Sequence, residues 1–179
     1  MRARSAVLLL VALFLSSRVA HAQDAPRYEV AGGYAFMHDQ DSSYNFRRGW
    51  VVSFAAAATD WLGLVGEAGG SFKTLSIPGD PPKFKVYTFM GGPRFTPCRD
   101  RRIAPFAQVL FGRARASTTV LDVSDTVTDF AYQPGGGVDL SLSRNVAIRV
   151  EGDYRIIRVD GSNSKESRFV AAAVFGFGH

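Results

Sequence analysis

Two groups of residues in this chain carry side chains able to do chemistry. His38, Asp39, Asp41, Ser42 and Ser43 fall within six consecutive positions and hold a base, acids to orient it and nucleophiles, the parts of a hydrolytic triad. Nothing in their spacing fixes them on a rigid element, so a polar loop entrance accounts for the cluster more simply. The second group is the ladder Arg149, Glu151, Asp153 and Arg155, with Ile148, Val150, Tyr154 and Ile156 interleaved. Strict alternation puts the charges on one face of a β-strand and the apolar side chains on the other. Such a strand separates hydrocarbon from water or from paired charge. Its charges serve either as a packed ion-pair network or as a narrow proton or ion path.

The ladder must be positioned by the rest of the chain, which begins with an address. Arg2 and Arg4 precede the apolar run Ala6 to Leu15, and Ala20-His21-Ala22 supplies a small-x-small cleavage pattern, the layout of a secretory signal peptide. A run of that length falls well short of the roughly 20 residues that a spanning helix needs. Residues 1–22 are therefore expected to be cleaved, leaving residues 23–179 as one domain. Loss of Arg2, Arg4 and Arg18 with no acid lowers the formal net charge of +5 by three. No basic helix or long Lys/Arg run remains to suggest nucleic acid. Cys98 is the single cysteine, so no intramolecular disulfide can form, and its surroundings read as an incidental turn.

After the signal no helix-length amphipathic pattern appears. Eight strand-like segments do, at roughly 28–38, 48–58, 62–72, 84–95, 103–116, 128–140, 146–158 and 168–178. They approach the roughly 9 to 11 residues that cross a bilayer at about 45° tilt. The connectors Thr59 to Trp61, Thr96 to Arg102 and Ser141 to Asn145 are short, whereas 39–47, 73–83, 117–127 and 159–167 read as longer polar loops. Short and long connectors in alternation belong at opposite ends of an up-and-down barrel. With an even strand number both termini share the short-turn end, the periplasmic side of an outer-membrane barrel. The expectation is an all-β, eight-stranded antiparallel up-and-down transmembrane β-barrel.

Parity assigns the faces wherever alternation is clear. Tyr28, Val30, Tyr34 and Phe36 face lipid, with Glu29, Ala31, Gly33 and Ala35 inward; Glu67 opposes Leu62 and Leu64; Thr88, Met90 and Arg94 oppose Tyr87, Phe89 and Phe95; Gln133 and Asp139 oppose Phe130, Tyr132, Val138 and Leu140. Segment 103–116 resists assignment, because placing Gln108 inside sends Arg113 and Arg115 outside, unless a bulge or a rim position intervenes. The expected lumen therefore holds Glu29, Glu67, Asp139, Glu151 and Asp153 against Arg94, Arg149 and Arg155. Glu67 and Arg94, on neighbouring strands, are expected to pair. Eight strands enclose a bore that side chains fill, which favours a plug over an open channel. A soluble lipocalin-like barrel would reverse the faces; the aromatic character of the apolar face and the Gly, Ala and Ser filling the other oppose it.

The last strand adds a resemblance. Phe169-Val170-Ala171-Ala172-Ala173-Val174-Phe175-Gly176-Phe177 resembles the C-terminal strand of outer-membrane barrels, whose terminal aromatics are recognised by the barrel assembly machinery. Phe175 and Phe177 match that pattern, although the chain ends on Gly178-His179. Across residues 28–178 the strand pattern, with Gly91-Gly92-Pro93-Arg94 and Gly135-Gly136-Gly137-Val138-Asp139, looks like the small OmpA/OmpX-type outer-membrane barrels. The resemblance implies a role in envelope integrity, surface interaction or slight permeation, and the expectation is a monomer among outer-membrane lipids whose exposed loops contact lipopolysaccharide or external partners. Some small outer-membrane barrels remodel lipid A with Ser, His and an acid at the outer rim, which makes the His38 cluster the basis of an enzymatic alternative. No metal or cofactor site is expected.

Overall fold

Eight alternating segments long enough to cross a bilayer, joined by turns, can satisfy every backbone group only by closing on themselves. The computed structural model, which describes residues 26–39, 45–46, 48–74, 83–120, 123–159 and 162–178, shows that closure. The strands are β1 (Tyr28–Asp39), β2 (Asn45–Phe46), β3 (Arg48–Ala57), β4 (Leu62–Thr74), β5 (Lys83–Phe95), β6 (Ile103–Val120), β7 (Val123–Ser141), β8 (Val146–Val159) and β9 (Ser162–Phe177). Every pairing is antiparallel between neighbours in sequence, and β9 returns to β1 from Tyr28↔Phe177 to Asp39↔Glu166. The two-residue β2 pairs with Met37 and His38 at the outer end of β1. Eight long strands thus form the barrel wall.

Each wall strand shows its parity as burial. Arg149, Glu151, Asp153 and Arg155 are buried, while Ile148 and Val150 between and beside them are exposed on the outer surface. Exposed apolar side chains ring the whole barrel, from Leu64 and Phe89 to Phe169 and Phe175. At the short-turn end Tyr28 packs against both Phe54 and Phe177, and Trp61 meets Phe95 edge-on. Phe72 and Tyr87 make the corresponding contact toward the other end. Two aromatic levels bounding an apolar band are what a bilayer requires of a barrel wall.

The strand that resists sequence parity is settled by register. On β5 Arg94 lies opposite Gln108 and Phe89 opposite Arg113, so equal lengths of β5 and β6 separate the two positions and no bulge intervenes. Gln108 is buried in the lumen, and Arg113 and Arg115 are exposed on the outer face. Arg113 lies ten residues beyond Ile103, about 34 Å along the strand and about 26 Å in height at a tilt near 40°. That height matches the apolar band, so the arginines stand at the outer headgroup level.

The outer connectors differ from the expected long loops. β6 and β7 pair as far as Val120↔Val123, and β8 and β9 as far as Val159↔Ser162. The polar stretches 117–127 and 159–167 are therefore mostly strand: Thr, Ser and Val suit a pleated ladder even where no apolar face reveals it. The segments 40–44 and 75–82 and residues 1–25, with the expected signal cleavage, lie outside the described residues.

Candidate functional site

Inward parity brings charged side chains from β1, β4, β5, β7, β8 and β9 into the narrow bore, where each must find a partner or carry a desolvation cost of several kcal/mol. They divide into two tiers. The tier nearer the short turns is built on Glu29 and Asp139. Arg149 donates from Nε and Nη2 to the two Asp139 oxygens at 2.7 and 2.6 Å, and from Nη2 to Glu29 at 3.1 Å. Arg99 reaches in from the β5–β6 turn to donate to the other Glu29 oxygen at 2.7 Å. Arg94 lies 3.7 Å from Glu29 and donates to Gln108 from Nε and Nη2 at 2.9 and 2.7 Å. The Arg94 and Arg149 guanidiniums both sit over the Phe106 ring, 4.5 and 4.8 Å from its centroid, so the π face takes up part of their charge.

The second tier, nearer the outer end, is organised by Arg168 of β9. Its guanidinium meets Asp153 at 2.7 Å, Glu67 at 2.8 Å and Glu151 at 3.3 Å. Arg155 donates to Gln133 at 2.9 Å, to Glu166 at 3.4 Å and to the Met37 sulfur at 3.9 Å. The tiers are joined by Gln108, which accepts from Arg94 and donates to Glu151 at 2.9 Å. Glycine makes this crowding possible at one point: a Cβ at Gly135 would collide with the Asp153 carboxylate.

The structure places all eight charged residues expected in the lumen inside the barrel: Glu29, Glu67, Arg94, Asp139, Arg149, Glu151, Asp153 and Arg155. It does not pair Glu67 with Arg94. Across β4 and β5 Glu67 lies opposite Met90, whereas Arg94 lies opposite Gly63, which separates the two by four residues along the strand. Glu67 binds Arg168 across the bore, and Arg94 turns toward Gln108 and Glu29. Arg168, Glu166 and Arg99 complete the network without having been singled out, and Gln108, whose facing the sequence left open, joins it. Parity carried upstream from Phe169 would have placed Arg168 and Glu166 inside. Arg99 had no such signal, because it comes from a turn.

Phe175 and Phe177 face outward at the short-turn end, Phe177 against Tyr28. Cys98 is a free thiol in the β5–β6 turn. Of the hydrolase-like cluster, His38 is on β1 opposite Asn45 and Ser167, and Asp41, Ser42 and Ser43 lie outside the described residues.

Residues 6–178 match the family described as outer membrane protein beta-barrel domain. Among solved structures, the chain is similar to Ail, the attachment invasion locus protein of Yersinia pestis, crystallised with the heparin analogue sucrose octasulfate. That likeness has 17% identity and a TM-score of 0.63, covering 84% of this chain and 97% of Ail. Neisserial surface protein A matches with 15% identity and a TM-score of 0.68, over 84% of this chain and 96% of that one. The N-terminal β-barrel domain of Pseudomonas aeruginosa OprF matches with 8% identity and a TM-score of 0.57, over 85% and 100%. At these identities the likeness is one of fold. A search of curated proteins found no match.

Proposed function

We propose, for a chain that belongs to the outer membrane protein beta-barrel domain family, the role of a non-catalytic integral outer-membrane barrel that holds a closed polar lumen. Membership in this family replaces the lipocalin-like alternative with an outer-membrane location. The observation that carries the closed lumen is the pairing across the bore: Glu67 of β4 with Arg168 of β9, and Glu29 of β1 with Arg94 of β5, each pair three strands apart around the wall. Bonds that join strands across a bore occupy the space an ion would need. An eight-stranded barrel leaves little room beside them.

In this reading the protein contributes to envelope integrity or surface interaction. The outer ends of its hairpins contact lipopolysaccharide or external partners, Phe175 and Phe177 are read by the assembly machinery, and residues 1–22 are removed on export. It acts as a monomer. Single-channel recording in planar bilayers tests the closed lumen: no stable open level is expected, and a large, steady conductance would overturn it. Fractionation with heat-modifiable gel mobility tests the placement independently, since a folded barrel migrates differently before and after boiling.

A further inference from the structure

The tier of the lumen near the short turns leaves both charge and hydrogen-bonding capacity unanswered. Three guanidiniums, Arg94, Arg99 and Arg149, meet two carboxylates, Glu29 and Asp139, so one positive charge is left over. The surplus coincides with unfilled donors. Arg94 is 5% exposed, yet its Nη1 has no hydrogen-bond acceptor among the described residues, and the buried Nε of Arg99 has none either. The two guanidiniums are neighbours, because they take the two oxygens of one carboxylate: Arg99 Nη2 lies 2.7 Å from Glu29 Oε1, and Arg94 Nη1 lies 3.7 Å from Oε2, beyond hydrogen-bond length. Phe106 under the Arg94 guanidinium carbon offsets part of the charge and leaves Nη1 without an acceptor atom. A buried donor in that state carries its full desolvation cost, which is larger for a charged group.

Access and field point to the same place. The side chains of Arg99, Glu29 and Asp139 are 12 to 14% exposed, whereas those of the ion pairs nearer the outer end are 7% or less. On the chain end and turns around this mouth, Arg27, Arg101, Arg102 and Arg144 outnumber Asp60 and Asp100 among the described residues. An opening with low-dielectric walls and one prevailing sign of charge concentrates the opposite ion.

We propose that the periplasmic mouth of the bore is a binding site for one small monovalent anion of chloride size, held by Arg94 Nη1 and Arg99 Nε beside Glu29. The single unit of surplus charge sets the valence, and the narrow bore of an eight-stranded barrel sets the size. Water would satisfy the donors and leave the charge. The Arg168 cluster stands between this site and the outer surface, so the ion enters from the periplasm and completes the plug instead of passing through it. The inference rests on the closed lumen proposed above and adds an ion to it.

The test uses the full barrel folded into zwitterionic lipid vesicles and unfolded with urea at constant ionic strength, while sodium chloride replaces sodium gluconate. Binding to the folded state alone multiplies the folding equilibrium constant by 1 + [L]/Kd, so about tenfold is expected for each tenfold rise in chloride above Kd. Arg94→Gln and Arg99→Ala should each flatten that dependence; Arg99 comes from a turn, which keeps the test open if the Arg94 variant fails to fold. Arg102→Ala, at an exposed cation of the same turn, should keep the wild-type slope. Equal urea midpoints in chloride and gluconate would overturn the site, as would a chloride dependence that Arg99→Ala retains or Arg102→Ala removes. Single-channel recording of the same preparation separates the two readings: a steady open level refutes the closed lumen, whereas a closed bore indifferent to chloride refutes the ion alone.

Discussion

The two tiers of the lumen solve opposite problems. In the tier near the short turns, three guanidiniums (Arg94, Arg99, Arg149) meet two carboxylates (Glu29, Asp139), and the excess positive charge rests on Phe106. In the tier near the outer end, four carboxylates (Glu67, Glu151, Asp153, Glu166) meet two guanidiniums (Arg155, Arg168). An aromatic face absorbs surplus cation in the inner tier, whereas the outer tier meets its acids with two guanidiniums and the Gln108 amide. The outer tier therefore depends on Arg168 as a single hub touching three acids, while the inner tier spreads its contacts over three arginines. Partial access reinforces the contrast: the Glu29 and Asp139 side chains are 14% exposed, whereas Glu67 and Asp153 are 2% and 0% exposed.

The largest expected effect follows from this dependence on one residue. Arg168→Ala would leave Glu67, Glu151 and Asp153 facing one another inside the bore. It should destabilise the barrel by about 3 to 5 kcal/mol, the usual cost of removing one partner from a buried charge cluster. Arg99→Ala, which removes one of several contacts to Glu29, should cost about 1 kcal/mol. Denaturant titration of the barrel folded into lipid vesicles measures both. Equal losses in the two variants would break the contrast between hub and distributed tier.

The contrast also presupposes that odd positions of β8 face the bore and even positions face lipid. Val150→Arg places a charge on the wall and should impair folding into vesicles by about 2 to 4 kcal/mol if the position lies near the midplane. Glu151→Gln, one residue away, keeps the acceptor that Gln108 and Arg168 use and should cost less. If both changes were tolerated equally, the two tiers would face solvent and not each other.

A smaller effect sharpens the account of the inner tier. Phe106→Leu retains apolar bulk and removes the π face under Arg94 and Arg149, so a loss of about 1 to 2 kcal/mol is expected. The same substitution combined with Arg94→Ala should cost less than the two losses added, because only one cation then needs the ring. Full additivity in the same vesicle titration would mean that Phe106 acts only by packing.

Much of this arrangement was legible in the sequence because period-2 alternation reports directly on which face is wet. Residues 148–156 disclose both environments of β8, and Tyr28 to Ala35 do the same for β1. Parity failed on β6 for a geometric reason: its 18 residues outlast the apolar band, so Arg113 and Arg115 are outward yet not in hydrocarbon. The outer hairpins were read as loops because strands beyond the membrane no longer need an apolar face. Asp160-Gly161, a favoured hairpin pair, was the local sign that Val159 and Ser162 stand at either side of a short connection. Partner choice inside the bore was the least accessible layer. Long arginine side chains reach across several strands, so which acid each one meets depends on register and barrel closure.

The smallest expected effect is the one that tests that last layer. Neighbouring inward strands favour a Glu67–Arg94 pair, whereas the register assigns them to different tiers, with Met90 opposite the first and Gly63 opposite the second. In a double-mutant cycle of Glu67→Gln and Arg94→Ala the coupling should stay within about 0.5 kcal/mol, as for independent sites. The parallel cycle of Glu67→Gln and Arg168→Ala should show coupling of about 1 to 3 kcal/mol, since removing the acid relieves the charge stranded by loss of the arginine. Gln108 links Arg94 to Glu151 of the outer tier, so Gln108→Leu should lower any residual Arg94 coupling further. Coupling of Glu67 to Arg94 as large as that to Arg168 would merge the two tiers into one network and remove the distinction between them.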